Sequence, residues 1–136
     1  MVALSTAARD PAPAKVRVLV VDDNEDYRLL VRVLLCSIGY EVLDVENGQV
    51  GLDACRAFHP ALVLVDYEMP VMNGIEFLDA KQADHTIAEI PVVMITASDV
   101  DVGDRVIKKL AKPISAASVV LTVNGIVGDP PLAPVA

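Results

Sequence analysis

Five residues offer chemistry at regular places in this sequence. Asp22 and Asp23 close the apolar run VRVLVV (16–21), and Asp66 closes ALVLV (61–65). Thr96 ends PVVMIT (91–96), and Lys112 precedes Pro113 in KLAKPI (109–114). Three carboxylates brought together repel one another, so either a proton or a cation must balance them. All-oxygen ligands without His or thiolate favour a hard ion, Mg2+ or Mn2+. An ammonium and a hydroxyl opposite the acids add donors, and donors plus metal suit a tetrahedral oxyanion. Phosphoryl transfer needs this arrangement, with charge on the equatorial oxygens neutralised and a nucleophile in line. Asp66 is the candidate nucleophile, which would yield an acyl phosphate. Taken singly each residue is ordinary: Asp-Asp-Asn before a helix is a cap, Asp66 can make a turn, and Lys-Pro says little. The signal is their coincidence at four separate chain positions.

Elements of one kind bring such positions together. The runs ending in these residues are short, β-branched and continuously apolar, as in parallel strands covered on both faces. YEVLDV (40–45) alternates more and suits a strand nearer an edge. Helical patterns lie between the strands. Residues 24–38 place Leu29, Leu30, Val33, Leu34 and Ile38 on one apolar face, with Asn24 as N-cap and Gly39 as stop. NGQVGLDACRAF (47–58) spaces Leu52, Cys55 and Phe58 helically, and GIEFLDAKQAD (74–84) forms a third, more polar helix. SAASVVLTVNGIV (115–127) reads as a last helix capped by Ser115 with Val119, Val120, Val123 and Val127 inward, the alternative being a strand entering an Asn-Gly turn. The order β-α-β-α-β-α-β predicts an α/β layer fold with right-handed crossovers, whose ligands bind outside the carboxyl ends of the strands.

Composition excludes other classes. A chain of 136 residues suits one domain, and 54% hydrophobic residues with 4% aromatics and no Trp require an aliphatic core. A net charge of -8 argues against nucleic acid. Cys36 and Cys55 make no disulfide framework, which suits a reducing, cytoplasmic setting. No apolar run reaches the roughly 18 residues that span a bilayer. Residues 1–14 read as a flexible Ala/Pro leader, 15–127 as the domain and 128–136 as a flexible tail.

The stretches VLVVDDNED, LVLVDYEMPVMNG, PVVMITAS and AKPI, spread over residues 18–114, resemble the receiver domains of response regulators in two-component signalling. The resemblance implies a flavodoxin-like, doubly wound parallel sheet of five strands in the order 2-1-3-4-5. It makes Asp66 the phosphoacceptor, supplied by a histidine kinase or histidine phosphotransfer protein. Asp23 and Asp66 would bind Mg2+ directly, Glu68 would add its backbone carbonyl, and Asp22 would act through water. Thr96 and Lys112 would contact phosphoryl oxygens, and the Lys112–Pro113 bond would be cis. Tyr27, Arg28 and the exposed face of the first helix would meet the donor protein.

Two departures from that family stand out. Thr96 and Lys112 lie closer in sequence than usual, by about one and a half helical turns. A fifth strand near 105–110 and a fourth helix reduced to a stub within 98–104 are therefore expected, with Lys108 or Lys109 competing for the role of Lys112 if the register shifts. The family's aromatic residue on strand five is also missing, since no Phe, Tyr or Trp follows Phe77. A lost fourth helix would bare apolar sheet surface for a partner protein, the tail or a second copy. The expectation is a stand-alone receiver without a DNA-binding module, signalling by protein contact or passing the phosphoryl group onward. It is not expected to be an enzyme beyond slow autodephosphorylation. The rival reading is a degenerate receiver, a scaffold that binds partners without switching. A metal-dependent phosphatase with an aspartyl nucleophile is disfavoured because Asp22 and Asp23 are adjacent. His59 and His85 fall in loops as solvated residues, and Met69 and Met72 as packing residues.

Overall fold

The apolar runs form the strands β1 (Arg17–Val21), β2 (Glu41–Val45), β3 (Leu62–Val65), β4 (Val92–Thr96) and β5 (Lys108–Ala111) in a computed structural model that describes residues 15–128. Residues 1–14, read above as a leader, and 129–136, all but the first residue of the tail read as 128–136, lie outside the described residues. All strand pairs are parallel, in the order β2-β1-β3-β4-β5. Between them run helices α1 (Glu25–Ser37), α2 (Gly48–Phe58) and α3 (Gly74–Ala83), and α4 (Ala116–Val127) follows β5. This is the doubly wound fold expected from the sequence.

Among the described residues each α-helix starts on a side-chain cap. Asn24, Asn47, Asn73 and Ser115 each accept a hydrogen bond from a backbone amide of the first turn, and Asn73 with Glu76 makes a reciprocal capping box. Such caps satisfy amides that have no intrahelical partner. Residues 116–127 are helical, so the Asn-Gly pair makes no hairpin turn. Asn124 instead accepts a hydrogen bond from the Tyr40 hydroxyl, which ties α4 to the start of β2.

The inner strands are buried on both faces, and their residues divide by alternation. Leu19, Val21, Val63, Val65, Val92 and Met94 join the cluster under α2 and α3, while Val18, Val20, Leu62, Leu64, Val93 and Ile95 join the cluster under α1 and α4. Period-two geometry explains the division: successive side chains point to opposite sides of the sheet.

Three expectations need correction. The buried stripe of α1 is Val31 and Leu35, flanked by the partly buried Tyr27 and Ile38, whereas Leu29, Leu30 and Val33 are about half exposed. Both stripes are apolar, and only the inner one reaches Val18, Val20 and Tyr40. The fifth strand begins later than 105, at Lys108, and the expected stub is a single 3-10 turn at Gly103–Arg105. Finally, the β4 face is not bare. Val102 and Val106, with the partly buried Val100, fill the space beside Val92 and Met94, and every residue of β4 is buried. An irregular segment can cover a sheet strand when its valines turn inward.

Candidate functional site

The strand ends converge as the topology requires. Hydrogen bonds from the Asp22 amide to the Val45 carbonyl (3.1 Å) and from the Asp66 amide to the Val21 carbonyl (3.0 Å) set the ends of β1, β2 and β3 level. One carboxylate oxygen from each of Asp22, Asp23 and Asp66 lies within 4.8 Å of the others. Asp22 and Asp66 are buried and Asp23 is exposed.

Lys112 faces this cluster. Its Nζ is 2.7 Å from Asp22 Oδ2 and 3.4 Å from Asp66 Oδ2. The short connection does not misplace it, because strand pairing governs its position. Thr96 pairs with Ala111, and the Lys112 amide donates to the Thr96 carbonyl at 2.9 Å. Lys108 and Lys109 are exposed, and Lys109 donates instead to the carbonyl of Val100. The Lys112–Pro113 bond is cis. Thr96 is buried, and its hydroxyl accepts a hydrogen bond from the Ser98 amide at 3.1 Å. Asp23, Asp66, Glu68, Thr96, Ala97 and Lys112 line one cavity of about 240 Å³ at the sheet edge.

The electrostatics follow from this packing. Burial pushes the Asp22 carboxyl above its ordinary value, against the lowering effect of Lys112 and of the Asn24 amide. For Lys112, burial disfavours the charge, but the hydrogen bond to Asp22 and the two nearby carboxylates outweigh it and hold the ammonium above its ordinary value. Three carboxylates against one ammonium leave negative charge uncompensated. The donors are oxygens only, with no imidazole or thiolate, and this set fits a hard cation.

The loop after Asp66 is held by close packing. The Tyr67 amide donates to Asp66 Oδ1 at 2.7 Å, and the Gly74 amide to the Tyr67 carbonyl at 2.8 Å. A Cβ on Gly74 would stand 2.6 Å from the Asp66 carbonyl and 2.9 Å from Met94 Cε, so only glycine allows this approach. Glu68 borders the cavity, with its carboxylate accepting from the Ser98 hydroxyl.

Several partners of the site escaped the sequence reading. Arg28 lies inward, donating to the Asp22 carbonyl (2.8 Å) and to Asp44 (3.0 Å). Tyr27 turns toward the site, its ring centroid 4.4 Å from Lys112 Nζ. Both are half-buried in the first turn of a helix that starts at the site, and they bend back over it. That spacing, four and five positions after Asp23, was the available signal. Cys55 is no rival nucleophile, since burial pushes its thiol up to about 11. His59 and His85 are exposed, and Met69 and Met72 pack against the core.

A parallel α/β sheet with an acid cluster, a hydroxyl and a lysine at its carboxyl edge defines a class of phosphate-handling signalling domains. The profile described as "Response regulator receiver domain" matches residues 18–122, and the chain belongs to that family. It is 31% identical over 118 residues to the polar-differentiation response regulator DivK of Brucella ovis, an alignment covering 82% of this chain and 96% of that protein. The fold is similar to chemotaxis protein CheY4 of Vibrio cholerae, with a TM-score of 0.76 and 26% identity over 84% of this chain and all of that one. It is similar also to the receiver domain of a Luxo repressor protein from Vibrio parahaemolyticus, with a TM-score of 0.72 and 25% identity over 81% of this chain and 88% of that one. The chain is thus a receiver domain of two-component signalling. Among the described residues no helix is long and apolar enough to cross a membrane.

Proposed function

We propose that Asp66 accepts a phosphoryl group from a histidine-phosphorylated kinase or phosphotransfer protein and that the phosphorylated domain signals by protein contact. The observation that carries this reading is the placement of the Lys112 ammonium against both Asp22 and Asp66, across residues remote in sequence. In the transfer, an Asp66 carboxylate oxygen forms a bond to phosphorus as the bond from phosphorus to the donor imidazole nitrogen breaks. The bonding pair stays on that nitrogen, and the product is an acyl phosphate. Lys112 and the Thr96 hydroxyl bind phosphoryl oxygens, and the Glu68 side chain stands at the mouth. Mg2+ or Mn2+, held by Asp22, Asp23, Asp66 and the Glu68 carbonyl, would supply charge neutralisation on the same oxygens. The donor protein meets α1, whose outward Leu29, Leu30 and Val33 flank the helix that leaves the site. The domain spans residues 15–127, and its setting is the cytoplasm.

The test is intact mass after incubation with Mg2+ and either acetyl phosphate or a histidine-phosphorylated donor protein. The expected result is a phosphate-sized gain that disappears in Asp66→Asn. No gain from either donor would favour the non-switching scaffold.

A further inference from the structure

Lys112 carries three ammonium hydrogens, and the structure accounts for three directions around them. Two point to Asp22 and Asp66, at 2.7 and 3.4 Å. On another side stands the face of the Tyr27 ring, with its centroid 4.4 Å from Nζ. A cation at that distance from a ring face is attracted by the negative quadrupole above the ring, and the attraction grows as water is excluded. The Lys112 side chain is only 20% exposed.

The unequal distances give the ring a purpose. The ammonium sits nearer Asp22 than Asp66, and the ring is a third contact that limits its shift toward either one. We propose that Tyr27 is a positioning residue for the phosphoryl-accepting step: its ring face holds the Lys112 ammonium where it reaches both Asp22 and Asp66. The proposal rests on Asp66 as phosphoacceptor. It also assigns an aromatic partner to the site in a chain that has no aromatic residue after Phe77.

The position of Tyr27 supports this. It lies in the first turn of α1, its amide capped by Asn24 at 2.9 Å, so the backbone that carries the ring is anchored beside Asp22 and Asp23. The ring and Lys112 share the lining of a cavity of about 360 Å³ with Asn24, Ala97, Pro113 and Ile114. A shorter aliphatic side chain at position 27 would open that cavity toward the ammonium and admit water to it. The hydroxyl is not the acting group. It is buried, and among the described residues it has no hydrogen-bond partner. Removal of the hydroxyl and removal of the ring therefore have different consequences, and this makes the idea testable.

Two variants of the full chain, Tyr27→Phe and Tyr27→Leu, separate ring from hydroxyl. The rate of acyl phosphate formation with acetyl phosphate and Mg2+ is read by intact mass. Tyr27→Phe should match the parent within about twofold, whereas Tyr27→Leu should fall about tenfold, the scale of one partly desolvated cation–π contact. Equal rates in the parent and Tyr27→Leu would overturn the proposal, as would a Tyr27→Phe variant as slow as Tyr27→Leu. A second reading needs no phosphorylation and no Leu variant: the NMR signals of the Lys112 ε-methylene in the unphosphorylated protein. These should be shifted upfield by the ring in the parent and in Tyr27→Phe, and unshifted signals in the parent would overturn the placement. If the parent takes up no phosphate while those signals are shifted, the function of Asp66 fails and the Tyr27–Lys112 contact stands.

Discussion

The acidic half and the basic half of the site rim are built in opposite ways. Asp22, Asp23 and Asp66 extend from β1 and β3, interior strands joined through capped helices of ten residues or more. Lys112 extends from β5, an edge strand reached through residues 97–107, whose regular structure is one 3-10 turn. Yet both halves arrive at the same cavity. The difference teaches that delivery of a side chain to a sheet edge depends on strand register rather than on the connection. Pairing of Thr96 with Ala111 carries Lys112 into place, whatever lies between.

If this is right, the acidic half should be the sensitive one. Leu19 is fully buried in β1, and Leu19→Ala should cost about 2–5 kcal/mol in urea unfolding. Gly74→Ala should cost about 1–3 kcal/mol, because the new methyl meets backbone and the Met94 tip. It should also slow phosphate uptake, since the Asp66 carbonyl must move. Val102→Ala, in the irregular connection, loses two buried methyls, about 1.5 kcal/mol, and should leave the phosphorylation rate with acetyl phosphate within about twofold, less than one cation–π contact. A Val102→Ala variant that lost phosphorylation as Gly74→Ala does would break the contrast. The smallest effect is read in pH. Asp84, which follows α3, is held well below its ordinary value by hydrogen bonds from Thr86 and then from Arg56. A carboxyl with a depressed folded value stabilises above its unfolded value and loses that contribution as pH falls. Asp84→Asn should therefore lose a small stabilisation near neutrality, and its difference from the parent should close as pH falls below the ordinary value of 3.8, which acid titration of thermal melts would read.

Much of the fold was legible because its signals are local. Continuous β-branched runs mark interior parallel strands, and Asn24, Gly39 and Ser115 mark helix ends. The alternating run at 40–45 is indeed an edge strand. The acids and the lysine could be grouped before any coordinates, since parallel crossovers place all carboxyl ends on one edge. The first helix resisted such reading. Its residues Leu29, Leu30 and Val33 form as good an apolar stripe as Val31 and Leu35, and hydropathy has no term that prefers one. Likewise, nothing local announces that Val102 and Val106 turn inward in a segment without helical or strand periodicity.

The sequence by itself determined the layered parallel sheet and the kind of groups at its carboxyl edge, because strand burial and acid placement are written residue by residue. Tertiary structure alone decided which stripe of α1 faces the sheet, what fills the β4 face, and that Tyr27 and Arg28 turn toward the acids. Those outcomes depend on which surfaces compete for one volume, and a linear pattern holds no record of that competition.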